Sequence, residues 1–202
     1  DMDAFMAEPW IEDAGKTVND ALVEKVAVIG ENLKIRRFEK VVAEHGCVAS
    51  YIHGGGRIGV IVDAETDVVN DAVKEALVNI AMQIAAVNPA YLNEASVPAE
   101  VLEKEKEILL AQISNDPKLA SKPDQVKEKM VEGKIGKYYK ENCLVDQQFV
   151  KDGDLTVAQY VEKTGKELGG DIEIVKYVRF EKGEGLEKKE DDFAAEVASM
   201  VK

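Results

Sequence analysis

The chain alternates between stretches with helical and with strand-like hydrophobic spacing. Val18, Leu22, Val26 and Ile29 share one helical face. Thr17 and Asp20 frame its start as a capping box, with Asp where Glu or Gln is usual, and Gly30 supplies the stop. From Leu33 to Val42 the spacing shortens to that of a strand. The Arg36-Arg37 doublet interrupts it before Phe38, which predicts a bulge or a partly exposed strand. Cys47–His53 and Arg57–Val62 alternate and are joined by Gly54-Gly55-Gly56, a hairpin whose turn needs the positive φ that glycine adopts freely. Val69, Val73, Leu77, Ile80, Ile84 and Val87 then predict a core-facing helix, capped by Thr66 or Asp67 and ended at Asn88-Pro89. Ala72, Ala76 and Ala81 would let that helix approach a sheet closely.

Residues 94–142 are richer in charge, and their apolar positions thin to narrow stripes: Val101 with Ile108, Leu102 with Leu109, then Val131, Ile135 and Tyr138. A loop at Asn115-Asp116-Pro117 and Ser121-Lys122-Pro123 divides them, so the pattern predicts a projecting antiparallel helical hairpin. So thin a stripe buries little by itself and is expected to pack on the body or on another chain. Beyond it, Gln147–Val150 reads as extended, and Thr156 with Gln159 opens a short helix that Gly169-Gly170 stops. Ile172, Ile174, Val178 and Phe180 alternate as a strand. Phe193, Val197 and Met200 share a face of a last helix near Asp192–Met200. No internal repeat stands out. The class is α+β.

Charge narrows the partners. With 202 residues and a formal net charge of −13, the chain lacks the basic stripe that phosphate backbones require, so direct nucleic-acid binding is not expected. No run of about 18 apolar residues predicts a membrane span, and no signal peptide is visible. Cys47 and Cys143 are too few for a disulfide framework and read as buried apolar residues of a reducing compartment. The chain begins at Asp1, which suggests a piece of a longer protein.

Candidate chemistry is sparse. His53 at the hairpin tip is placed to touch a partner, to act in proton transfer, or simply to be solvated; His45 reads as a turn residue. Gly54-Gly55-Gly56-Arg57 lacks the Lys-Ser/Thr of a phosphate-binding loop and does not open a helix. Two histidines and two cysteines, widely separated, have no zinc spacing. Acidic pairs such as Glu103 with Glu105 and Asp191-Asp192 fit solvated helix faces. Nucleophile-elbow and dinucleotide signatures are missing. Three readings stay open on residues alone: a protein-contact module, a dimeric scaffold, and a hydrolase or transferase using His53 with a remote carboxylate.

Several motifs, in order, carry a family resemblance. They are Ile29-Gly30-Glu31-Asn32, Ile35-Arg36-Arg37, Tyr51-Ile52-His53-Gly54-Gly55-Gly56-Arg57-Ile58-Gly59-Val60, Glu128-Lys129-Met130-Val131-Glu132-Gly133-Lys134, Gln148-Phe149-Val150, Arg179-Phe180-Glu181-Lys182-Gly183-Glu184-Gly185 and Asp192-Phe193-Ala194-Ala195-Glu196-Val197-Ala198. Together they closely resemble bacterial translation elongation factor Ts (EF-Ts), the nucleotide-exchange partner of the GTPase elongation factor Tu (EF-Tu). The resemblance implies two small antiparallel-sheet subdomains with flanking helices, the first incomplete. Residues 1–45 would be the end of the N-terminal core subdomain, and 46–93 with 143–185 the C-terminal one. Residues 94–142 would be the inserted coiled-coil or dimerisation arm, and 186–202 a C-terminal helix module. It implies that Ile29, His53, Phe149, Val150 and Phe193 contact EF-Tu, with Phe149 in an exposed patch. It also implies a possible homodimer through the arm, no cofactor, no metal and a cytoplasmic setting. Lys151 stands where the family is often apolar. The family's ubiquitin-associated-like N-terminal domain and its Thr-Asp-Phe-Val wedge are missing from this sequence, so partial binding and reduced exchange are expected of it alone.

Overall fold

A computed structural model describes residues 1–186. The expected last helix near Asp192–Met200, Phe193 included, lies outside the described residues. The chain divides into one unit at Asp1–Val41 and a second from Val42 onward.

The first unit holds α1 (Met2–Ala7), β1 (Pro9–Trp10), β2 (Asp13–Thr17) and α2 (Val18–Ile29). The capping box forms as the sequence predicts. Thr17 Oγ1 accepts from the Asp20 amide at 3.1 Å, and the Asp20 carboxylate accepts from the Thr17 amide at 2.9 Å. That backbone bond, helped by the Thr17 hydroxyl, holds the Asp20 carboxyl below its ordinary range. Gly30 caps the other end at φ 77°. Of the predicted face, Val18 is buried and Leu22 and Val26 half-buried. The strand expected from Leu33 to Val42 is not there. A strand exists through its ladder partners, and the sheet of this unit is a two-stranded one made of β1 and β2. Phe38 instead stacks on Phe5 of α1, ring centroids 4.5 Å apart.

The second unit is built on an antiparallel sheet of β3 (Gly46–His53), β4 (Ile58–Thr66) and β7 (Ile172–Glu181), with β4 central. α3 (Asp71–Val87) crosses it, and Val73, Leu77, Ile80 and Ile84 bury against Ala49, Val60, Val62 and Ala64. Gly46 permits the tight start of β3. A Cβ there would lie 2.1 Å from the Ala64 carbonyl oxygen, at a φ of 128° that side chains resist. Three details depart from the pattern. Asn70, not Thr66 or Asp67, caps α3, its Oδ1 accepting from the Val73 amide at 2.9 Å. Val69 therefore precedes the helix, and it and Val87 are exposed. In β7, Asp63 pairs with Lys176 but Ala64 with Ile174, leaving Val175 as a bulge. The extra residue reverses the alternation, so Ile172, Ile174 and Tyr177 pack on the core while Val178 and Phe180 are half-buried.

The helical hairpin is present as α4 (Ala99–Asn115) and α5 (Asp124–Asn142). It carries a small core of its own: Leu109, Ile113, Val131 and Ile135, with Leu102, Leu119, Met130 and Tyr139 around them. Tyr139 thus takes the place expected for Tyr138, and Ile108 is exposed. The chain then forms β5 (Gln148–Phe149), β6 (Asp152–Thr156) and α6 (Val157–Leu168).

This β5–β6–α6 run repeats β1–β2–α2, although no repeat stood out in the sequence. The ladder Pro9↔Thr17 and Trp10↔Asp13 recurs as Gln148↔Thr156 and Phe149↔Asp152, 139 residues on. The Val18 amide donates to the Glu8 carbonyl at 3.0 Å, and the Val157 amide to the Gln147 carbonyl at 3.0 Å. Both helices start in a capping box and end at a left-handed glycine, Gly30 or Gly169. Identity survives at few positions, Asp13/Asp152, Thr17/Thr156, Val18/Val157 and Gly30/Gly169 among them, because what repeats is mostly backbone geometry.

Candidate partner-binding surface

The β3–β4 turn places His53 on an exposed tip. Gly54, Gly55 and Gly56 have φ of 60°, 63° and 94°, so the tight reversal uses the conformation that glycine adopts freely. The Arg57 amide closes it on the His53 carbonyl at 3.0 Å. The Tyr51 hydroxyl lies 2.9 Å from His53 Nδ1 and orients the ring. Arg57 reaches Glu181 of β7 at 3.2 Å, and Arg179 reaches the same carboxylate at 3.0 Å. Hydrogen bonds from Arg179 first, then Arg57, hold the Glu181 carboxyl below its ordinary range. The tip is thus braced against the neighbouring strand, with Ile52 and His53 turned to solvent.

The second element is the β5–β6 turn. Phe149, expected in an exposed patch, is 3% exposed and belongs to the main core. It stacks on Tyr160 of α6, centroids 4.1 Å apart. That contact and the main cluster around it enclose the ring. Val150, next along, is 51% exposed. Lys151 donates to Asn79 Oδ1 of α3 at 2.6 Å, and Asn79 Nδ2 donates to the Tyr160 hydroxyl at 3.1 Å. Gln83, buried on α3, accepts from the Val150 amide at 2.7 Å and donates to the Gln148 carbonyl at 3.0 Å.

The structure therefore brings Phe149 and Val150 together with Asn79, Gln83 and Tyr160, while His53 stands on a separate element. Ile29 ends α2 in the first unit and is 54% exposed. Phe193 lies outside the described residues. The pattern reading missed Asn79, Gln83 and Tyr160. One signal was present: Gln83 is a polar residue within the apolar face of α3, between Ile80 and Ile84. Such a residue needs buried hydrogen-bond partners.

Nothing reactive gathers here. His53 pairs with a tyrosine. Cys143 is fully buried, and burial pushes its thiol up to about 11, so it stays protonated near neutrality. Burial likewise raises the Cys47 thiol. Among the described residues no group of three or more His, Cys, Asp or Glu could hold a metal ion. Among the same residues, no helix is long and apolar enough to cross a membrane.

A braced hairpin tip thus presents Ile52 and His53 to solvent, and a buttressed turn presents Val150. The family model for Elongation factor TS matches residues 1–184, and the chain belongs to that family. Elongation factor Ts of Clostridium kluyveri is 47% identical over 96% of this chain and 62% of its own length. That of Clostridium tetani is 46% identical over 100% of this chain and 65% of its own. For Clostridium botulinum the figures are 48%, 98% and 63%. The chain thus spans under two thirds of the length of these curated relatives.

Proposed function

We propose that this chain is the EF-Tu-docking core of a cytoplasmic nucleotide-exchange factor, and that it promotes GDP release during translation elongation. Family membership over residues 1–184 is the observation that carries the reading. Ile29, His53 and Val150 are the proposed contacts, with Phe149 supporting Val150 from below; Phe193 joins them by family resemblance. The exposure of Ile29, His53 and Val150 suits that role. The mechanism is linkage. A protein that binds the nucleotide-free GTPase more tightly than the GDP form lowers GDP affinity by the same factor, so the ternary complex sheds nucleotide. Binding favours a GTPase conformation that holds phosphate and Mg²⁺ poorly. No bond in this chain is made or broken, so no catalytic residue is needed.

The test is release of a fluorescent GDP analogue from EF-Tu with this chain in excess. Acceleration that Val150→Ala and His53→Ala each reduce supports the reading. Binding without acceleration would leave a docking scaffold, and no binding would overturn the proposal.

A further inference from the structure

We infer that Gln83 is the positioning residue of the Val150 turn: its side-chain amide, and not the local ladder, fixes the backbone that presents Val150. The inference rests on the reading that this turn docks on EF-Tu. The ladder there is weak. β5 is two residues long, and its register slips between Gln148 and Phe149. Gln83 takes up the backbone groups on both sides of Phe149: its Oε1 accepts from the Val150 amide at 2.7 Å and its Nε2 donates to the Gln148 carbonyl at 3.0 Å. The same Nε2 lies 3.2 Å from Gln147 Oε1, and Gln147 Nε2 donates to the Glu141 carbonyl at 2.9 Å. With Gln147 Nε2 turned to the Glu141 carbonyl, its oxygen faces Gln83 Nε2. That sets Gln83 Nε2 towards Gln147 and the Gln148 carbonyl, and leaves Oε1 for the Val150 amide.

Both glutamines are buried, at 0% and 3% exposure. A buried amide is tolerated only when its partners are in place. An apolar residue at position 83 would suit the core, but would strand the Val150 amide and the Gln148 carbonyl. The polar residue is therefore explained by the turn rather than by the core. Lys151, bonded to Asn79 one helical turn earlier, gives a second fastening to the same helix.

The experiment measures affinity of the whole chain for EF-Tu·GDP by calorimetry, with thermal midpoints recorded for every variant. Gln83→Met keeps the volume and removes both bonds to the turn, and Val150→Ala removes the presented side chain. Each should weaken binding about fivefold, the scale of one modest contact or hydrogen bond. The double variant should be no weaker than Val150→Ala alone, because a misplaced turn matters only through what it presents. If Val150→Ala binds like the parent, the docking reading of this turn fails. If Val150→Ala weakens binding but Gln83→Met does not, or the two effects add, Gln83 has no positioning role.

Discussion

Neighbouring residues in this chain have opposite roles, and spacing alone does not separate them. Phe149 and Val150 both read as extended and apolar, yet Phe149 is in the core and Val150 in solvent. Phe149→Ala should therefore cost roughly 3–5 kcal/mol of stability, the usual penalty for removing a buried aromatic. Val150→Ala should move stability by less than about 0.5 kcal/mol, as surface changes do. Urea denaturation compares them, and near-equal losses would count against this assignment. Asp146 offers a test with a sign. Its Oδ2 is buried and accepts no hydrogen bond among the described residues, and burial raises its carboxyl above the ordinary 3.8, with Lys140 opposing. The folded chain holds that proton more tightly than the unfolded chain does. Ionisation therefore lowers stability above the raised value, and the deficit fades as pH falls towards 3.8. Asp146→Asn should raise the thermal midpoint at pH 7, with the gain shrinking on acidification through that window. A gain independent of pH would point to another cause.

At the scale of elements, the signals that sequence carries locally were legible and those that depend on a distant partner were not. Both capping boxes and the stops at Gly30 and Gly169 form as expected, because a cap is settled within a few residues. The glycine hairpin forms for the same reason. Leu33–Val42 shows the limit. Its spacing resembles that of β7, but β7 has β4 beside it, whereas Leu33–Val42 pairs with no strand among the described residues. The Val175 bulge is likewise set by the partner strand, so alternation misplaced Val178 and Phe180. Gln83 was visible as an anomaly in α3, but its meaning lay 65 residues away, in the backbone of Gln148. The stripe on α3 is the element most open to test. Leu77 is fully buried between helix and sheet, and Leu77→Ala should cost roughly 2–5 kcal/mol. A loss under about 0.5 kcal/mol, the range of surface sites, would mean that α3 does not bury that face.

For the molecule as a whole, the arm poses the largest question, because sequence predicted its helices but not the join at its base. Residues 90–92 run beside 142–145: the Ala90 amide donates to the Asn142 carbonyl at 3.0 Å, Leu144 to Tyr91 at 2.9 Å, and Val145 to Leu92 at 3.1 Å. The two ends of the arm are therefore stitched together by the body itself. The arm has a separate small core, in which Ile113 is almost fully buried and the others of its set share no residue with the main cluster. Replacing residues 97–140 by a short glycine-serine linker should leave the sheet and α3 intact. Closing a short gap between ends already adjacent costs little chain entropy, since that cost grows only slowly with loop length. The expected result is a cooperative thermal transition with a midpoint within a few degrees of the parent's, and unchanged EF-Tu affinity if the arm takes no part in docking. Retained folding with lost affinity would move the partner surface onto the arm. Loss of the cooperative transition would show that α4 and α5 are part of what holds the body together.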